Sequence, residues 1–351
     1  MVKNILEKYK NLVWPEIQKY LTNPIFPQAF LIPQKYQKLS NFHWQLSSEY
    51  PLRQGKYLRP TLLLLTCEAM NGKAQKALKT AAAMQISEDW LLIHDDFEDD
   101  SDQRRGKPAL HRIYGNELAV NAGDTLHILM WKILFDNYPI LGSQKTQEIL
   151  EEFYRILSRT ALGQTAELKW MKEEKFDFTD EEWFFIGDGK TSYYSIAGPM
   201  RLGAIIAGVN KTQLEKLAGF GLLLGRSFQL IDDILDVTSN FEGQKKQKGN
   251  DIYENKKTVI LGHLLRTLKG TDKGKLIKIL KKDRPEKSQK EINWVIRAME
   301  KARSIKYAQN LALKFKKEAL EIFEKDLKFL STSPARENLR EIIDFIVERK
   351  Y

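Results

Sequence analysis

Two short acidic runs carry the chemistry open to this chain. In "HDDFEDDSDQRRG", Asp95, Asp96 and Asp99 repeat the spacing of Asp232, Asp233 and Asp236 in "FQLIDDILD". On a helix, residues i and i+4 share a face, so Asp95 pairs with Asp99, and Asp232 with Asp236, about 6 Å apart at Cβ. Each run closes an apolar stretch, which predicts the inner end of a buried helix. Unpaired buried charge is costly, and a hard divalent cation removes the cost. Mg2+ characteristically takes one or two carboxylates and fills its shell with water and substrate phosphates. A lone DDxxD is usually a helix end or a wet surface patch; two copies in matching contexts are not explained that way. Neither copy has the glycine and closing glutamate of an EF-hand loop.

Metal-bridged phosphates also need cations. "GKYLRP" offers Lys56 and Arg59, and Arg104 and Arg105 follow the first acids directly. "DGKTSYY" offers Lys190 and Thr191, while "KKQKGND" and "ENKKT" offer Lys246 and Lys256. Arginine grips phosphate as a planar fork and lysine acts as a point charge. Each of these residues, taken singly, is an ordinary surface cation; their order along the chain is the signal. The formal charge is +10, and residues 241–290, with 15 Lys or Arg against 6 Asp or Glu, hold nine of those ten charges. The basic character is therefore local, unlike the stripe of a nucleic-acid binder. The second half of that run reads equally well as a solvated lysine-rich helix.

The elements that must position these residues are helical. Ala308, Leu311, Phe315, Ala319, Ile322 and Phe323 recur in steps of three and four, one apolar stripe of a helix. From Ala74 to His94 an Ala-rich run with Met84, Ile86, Trp90, Leu91 and Ile93 leads a helix up to the first acids. Breaks are expected at Asn71-Gly72, Gly106-Lys107-Pro108, Gly142-Ser143, Gly187-Asp188-Gly189, Gly270 and Ser331 to Pro334. Alternating strands with hairpin turns are absent from the pattern. With 351 residues, 42% of them hydrophobic, the chain can bury a large core. Cys67 is the single cysteine, so no internal disulfide framework exists and a reducing cytosol is the expected setting. The first twenty residues alternate charged and apolar types, without the continuous apolar stretch of a secretory leader. No run suggests a membrane span, and a soluble cytoplasmic protein is expected.

From Gly55 to Thr258 the order "GKYLRP", "HDDFEDDSDQRRGKPALH", "NAGD", "GKTSYY", "FQLIDDILD" and "GNDIYENKKT" resembles the polyprenyl synthetase family of trans-isoprenyl diphosphate synthases. Farnesyl and geranylgeranyl diphosphate synthases belong to that family, and the closing "VERKY" is similar to its terminus. The resemblance implies an all-α fold, with residues 1–351 as one isoprenoid synthase domain. Ten or more helices would surround a deep central cavity, across which the two acidic runs face each other and hold several Mg2+ ions. Carried over, Asp95, Asp99 and Asp232 bind metal, with Asp96, Asp233 and Asp236 in support. Arg104, Lys190, Gln229, Lys246 and Lys256 complete the pocket for an allylic diphosphate, and Thr191 lies close to the breaking C–O bond. Lys56, Arg59 and Arg105 hold isopentenyl diphosphate. The implied reaction is an electrostatically driven ionisation followed by attack of the isopentenyl double bond and loss of a proton. A homodimer is also implied, with Leu126, Leu129, Met130 and Ile133 at the contact; ordinary core packing is the other reading of those four.

Two positions depart from the family's pattern. Seven residues before the first aspartate, where His or Gln contacts isopentenyl diphosphate, stands Glu88. An acid there is unfavourable unless protonated, salt-bridged or turned away, and Glu88 stays outside the binding set. Lys245 replaces the glycine that usually precedes Lys246. His94 is expected to pack or to orient a carboxylate, and Asp124 of "NAGD" to be a buried helix-pairing group. Trp90 and Leu91, one turn before Asp95, lie near its helical face. The resemblance implies that residues there set product length, and an aromatic at the fifth position upstream with an intermediate residue at the fourth resembles the synthases of geranylgeranyl diphosphate, with farnesyl diphosphate as the alternative. Trp90 reads otherwise as a packing residue. A terpene cyclase would lack the "GKxxRP" site, and a non-catalytic subunit of a heteromeric synthase would have lost one aspartate cluster; this chain keeps both.

Overall fold

The computed structural model describes residues 2–22, 24–238 and 248–347. Lys246 and its neighbour Lys245 lie outside these residues. The helices are α1 (Val2–Gln18), α2 (Gln37–Leu52), α3 (Leu58–Ala69), α4 (Ala74–Glu98), α5 (Leu110–Tyr114), α6 (Asn116–Phe135), α7 (Tyr138–Lys172), α8 (Asp180–Gly187), α9 (Gly198–Ala207) and α10 (Lys211–Thr238). They continue with α11 (Asn250–Tyr253), α12 (Val259–Thr267), α13 (Gly270–Leu280), α14 (Gln289–Lys301), α15 (Ser304–Lys325) and α16 (Ala335–Val347). Among the described residues the strands are β1 (Gln103–Arg104) and β2 (Lys107–Pro108), one short antiparallel pair. The all-α expectation holds.

The expected breaks hold at Asn71-Gly72, Gly106 to Pro108 and Gly270, and Gly142, at φ 77°, kinks the start of α7. The break at Gly187-Asp188-Gly189 does not occur. Helix α8 runs on into a π-helical stretch, Asp188–Ala197. Asp188 is held by Arg226, with Nε to Oδ1 at 2.8 Å and Nη2 to Oδ2 at 2.6 Å. That ion pair and the packing described below support a wide turn which local propensity alone would open.

Contacts divide the chain into two units. The first comprises Met1–Glu151, Leu202–Val209 and Thr332–Asn338. Its centre is α3, "LRPTLLLLTCEA", in which every residue from Pro60 to Cys67 is buried; Leu62, Leu63, Leu64 and Leu65 are fully buried. Helix α4 meets its neighbours through Ala77, Ala81, Ala82 and Ala83, and α6 packs on it through Ala119, Ala122, Leu126, Met130 and Ile133. The second unit comprises Glu152–Arg201, Asn210–Ser331 and Leu339–Tyr351. There the stripe read from the sequence becomes α15, which buries Ala308, Phe315, Ala319 and Phe323 and packs on α10. Phe178, Leu264, Leu276, Ile292 and Val295 join its core. Among the described residues no helix is long and apolar enough to cross a membrane.

Candidate active site

In the first unit the leading acids stand on the last turn of α4. The amide of Asp99 donates to the carbonyl of Asp95 at 2.9 Å, so the helical spacing survives to the end and both carboxylates share one face. Asp95 is half-buried and Asp99 buried. The remaining acids of the cluster are distributed. Asp96 is fully buried and turns inward, where it accepts from Tyr50 Oη at 2.6 Å and from Arg104 Nε at 2.9 and 3.0 Å, with a further close contact to Arg104 Nη2. Asp100 and Asp102 turn to Arg112, at 2.7 and 3.3 Å. Arg104 Nη2 also lies 3.7 Å from Asp95, and Asp96 and Asp95 push the Arg104 guanidinium further above its already high range.

The two adjacent arginines are sent to different places by a two-residue turn. Arg105 and Gly106 join β1 to β2 with φ of 52° and 77°, the pair of positive angles that marks a tight hairpin. Arg104, on the strand, faces Asp96. Arg105, in the left-handed region, faces back along α4 to Asp89, donating from Nη1 to Oδ1 at 2.7 Å and to the Tyr50 carbonyl at 2.9 Å. Glu88 sits against the same group, with Oε1 3.7 Å from Arg105 Nη2 and Oε2 3.0 Å from Arg59 Nη1. Of the conditions under which an acid is tolerated here, salt-bridging is the one the chain uses. Arg59 lies in the first turn of α3, preceded by Tyr57 in the left-handed region and by the exposed Lys56. Burial, helped by the Glu88 charge, pushes the Asp89 carboxyl up to about 6.

Trp90 lies face to face with His127 of α6, centroids 4.2 Å apart. Trp131 Nε1 donates to His127 Nε2 at 2.9 Å, so that nitrogen is an acceptor, and burial lowers the imidazole's pKa. The three rings form one aromatic cluster on α4 and α6, Trp90 stacked on His127 and Trp131 meeting His127 edge-on; Leu91 is half-buried. His94 Nε2 donates to the Val120 carbonyl at 3.2 Å, over Gly123, where a Cβ would approach to 2.3 Å. Asp124 is exposed, 3.7 Å from His94 Nε2, and does not take the buried helix-pairing place expected of it: the space in the α4–α6 contact belongs to Gly123 and His94. Leu126, Leu129, Met130 and Ile133 likewise belong to the core of this unit rather than to an open face, because α6 turns them onto α4.

In the second unit, α10 and the π-helical stretch approach closely through two glycines. A Cβ on Gly225 would lie 2.4 Å from Ser192 Cα, and one on Gly221 2.5 Å from Ala197 Cα. This contact places Thr191 Oγ1 2.8 Å from Gln229 Oε1, and Gln229 Nε2 donates to Asp233 Oδ1 at 2.8 Å. Lys190 Nζ reaches Glu167 of α7 at 2.5 Å. Asp232 is exposed, Asp233 is buried and Asp236 is half-buried. Asp236 accepts from the amides of Asn250 and Asp251 at 3.1 and 3.2 Å, capping the first turn of α11. Lys256 pairs with Glu254 at 2.9 Å.

Mg2+ suits these donors. Burial and the charges of Asp251, Asp232 and Asp236 push Asp233 well above the carboxylate range, and Asp233 Oδ2 has no hydrogen-bond partner. That excess of negative charge is what a divalent cation offsets. Among the described residues no three His, Cys, Asp or Glu side chains converge as a preformed cage. A site completed by substrate phosphate oxygens needs none.

Several participants were not read from the sequence. Tyr50, which holds Asp96, and Glu167, which holds Lys190, come from helices far along the chain and carry no local signal. Asp89 had one, its place beside Glu88, and Gly123 had another, its place in "NAGD".

A profile of the polyprenyl synthetase family matches residues 43–299. The chain is 34% identical over 313 residues to a geranylfarnesyl diphosphate synthase of Natronomonas pharaonis, covering 85% of this chain and 87% of that one. It is 31% identical over 353 residues to a short chain isoprenyl diphosphate synthase of Methanothermobacter thermautotrophicus, covering 100% and 99%. Among solved structures, geranylgeranyl pyrophosphate synthetase from Pyrococcus horikoshii matches with a TM-score of 0.84 and 29% identity, over 99% of this chain and 98% of that one.

Proposed function

The chain belongs to the polyprenyl synthetase family and is a prenyltransferase, and from that premise we propose that it condenses isopentenyl diphosphate with an allylic diphosphate, head to tail and in trans, to give geranylgeranyl diphosphate. The observation that carries this reading is how each acidic run spends its carboxylates. Asp96 is committed to Arg104 and Tyr50, and Asp236 to the amides of α11. Those commitments fix the turns that bear Asp95, Asp99 and Asp232. In this reading Asp95, Asp99 and Asp232 hold Mg2+, while Asp96 and Asp236, expected among the ligands from the resemblance, are positioning residues.

A Mg2+ ion held by those residues would supply positive charge that stabilises the departing diphosphate. Arg104, Lys190, Gln229 and Lys256, with Lys246 from outside the described residues, bind the allylic diphosphate. Glu167 orients Lys190, and Gln229 orients the Thr191 hydroxyl toward the reacting end. The C1–O bond breaks with both electrons passing to the diphosphate. The double-bond electrons of isopentenyl diphosphate, held by Lys56, Arg59 and Arg105, form the new C–C bond. The proton then lost from C2 passes to the released diphosphate, which restores a double bond. Preorganised charge does the work, and no serine or cysteine nucleophile takes part.

Trp90, braced by His127 and Trp131, is the floor under the growing chain, which supports a twenty-carbon product. The geranylfarnesyl synthase relative favours a second reading, a twenty-five-carbon product. Chromatography of the products formed from isopentenyl diphosphate and an allylic primer with Mg2+ tests the function. Trp90→Ala should lengthen the product by one or more five-carbon units; an unchanged product from a folded, active variant would move the floor elsewhere. Absence of condensation would reject the function itself. A cytoplasmic homodimer is part of the proposal.

A further inference from the structure

Glu88 lies between the two arginines assigned to isopentenyl diphosphate, 3.0 Å from Arg59 Nη1 and 3.7 Å from Arg105 Nη2. All three side chains are largely buried, so their charges act at short range with little screening by solvent. The contacts are unequal in kind. Arg105 Nη1 makes aligned hydrogen bonds to Asp89 and to the Tyr50 carbonyl, and these set the position of its guanidinium. Arg105 Nη2 and Glu88 Oε2, by contrast, make no hydrogen bond. Gly55 of "GKYLRP" leaves room for that Nη2 group, since a Cβ there would come within 2.9 Å of it. Glu88 thus supplies charge to the arginine pair without the fork geometry that makes such contacts strong. A diphosphate, with several oxygens to distribute, can supply both.

Resting on the reading of Lys56, Arg59 and Arg105 as the isopentenyl diphosphate site, we propose that Glu88 is a resident anion of that site, which together with Asp89 neutralises the arginine pair when substrate is absent and, unlike Asp89, is displaced by the incoming diphosphate. Binding there becomes an exchange of anions. The exchange lowers affinity for isopentenyl diphosphate and leaves the allylic site untouched. It also lowers the net positive charge that steers the substrate in, so affinity depends less steeply on salt. Glu88 is a positioning and specificity residue and takes no part in bond making.

Inorganic pyrophosphate, titrated calorimetrically into the full chain in EDTA, probes this cation-only site without metal and without turnover. Glu88→Gln should bind pyrophosphate about 10-fold more tightly than wild type, with a steeper salt dependence. Glu88→Ala should do the same, which guards against an effect of the amide. Adding Arg59→Ala to Glu88→Gln should abolish the gain and so locate the ligand at this pair. In steady state, Glu88→Gln should lower KM for isopentenyl diphosphate by a similar factor and leave KM for the allylic substrate within about twofold. Equal or weaker pyrophosphate binding in both Glu88 variants overturns the inference. Tighter binding in a chain that condenses nothing would keep the resident anion and reject the functional reading.

Discussion

Neighbouring aspartates in one motif do opposite work, and the difference is measurable. Asp95 is half-buried on the last turn of α4, whereas Asp96 is fully buried on Arg104 and Tyr50. Asp95→Ala should lower kcat by several orders of magnitude and barely move the unfolding midpoint, and Asp232→Ala should match it. Asp96→Ala takes the close carboxylate partner from the half-buried Arg104 guanidinium, leaving it the 3.7 Å contact to Asp95, and should cost about 3 kcal/mol of stability. Urea denaturation and steady-state kinetics on the three variants check the split; equal stability losses for Asp95→Ala and Asp96→Ala would refute it. Asp89 supplies a pH signature. Its carboxyl is raised to about 6 in the folded chain, against about 3.9 when unfolded. Folding therefore takes up a proton between those values. This contribution is complete below about pH 4 and is lost as pH rises through 6, a loss of about 3 kcal/mol. Asp89→Asn cannot titrate, so its stability relative to wild type should improve by about that amount between pH 4 and pH 7. Denaturant midpoints at the two pH values test it, and a constant difference would show that Asp89 is ionised throughout.

At the scale of elements, the contact of α10 with the π-helical stretch decides whether Thr191, Gln229 and Asp233 form one hydrogen-bonded chain. Two glycines, Gly221 and Gly225, set that distance. Gly225→Ala would drive a methyl against Ser192 at 2.4–2.7 Å. Overpacking of this kind costs about 1–3 kcal/mol, and the helices must separate to relieve it. Thr191 then moves away from Gln229. The expected outcome is a lower kcat with little change in KM for isopentenyl diphosphate, whose residues lie in the first unit. Kinetics on Gly225→Ala and on the exposed-glycine control Gly219→Ala, which meets nothing within 4 Å, check this. Helix propensity favours alanine at both positions, so Gly219→Ala should lose no activity, and comparable losses in both would show that the contact with Ser192 is not the cause.

For the molecule as a whole, the outward side of α6 carries Ile128 and Phe135, 71% and 52% exposed and two turns apart on one face. Large apolar groups left open in this way suit a partner surface, and they, rather than the inward Leu126, Leu129, Met130 and Ile133, are the contact the proposed homodimer would use. Ile128→Lys with Phe135→Lys should shift sedimentation at micromolar concentration from dimer to monomer without loss of helicity. Leu129→Ala should instead destabilise each chain by about 2–5 kcal/mol and leave the association state intact. A wild-type monomer under those conditions would reject the dimer.

Local pattern was enough to read the helical class, the two DDxxD turns, the order of cationic motifs and the place of α15, because each lies within one stretch: a period of 3.6, an i to i+4 spacing, a run of residue types. It also marked Glu88 as out of place. How that acid is tolerated depends on the folded chain, since Arg59 and Arg105 arrive from α3 and from a hairpin turn at positive φ. The same holds for the inward turn of Asp96 onto Tyr50, the outward exposure of Asp124, the core placement of the α6 leucines and the helical continuation through Gly187 to Gly189. In every one of these the deciding partner lies far along the chain, and burial and pairing energies of several kcal/mol outweigh propensities of less than about 1 kcal/mol per residue.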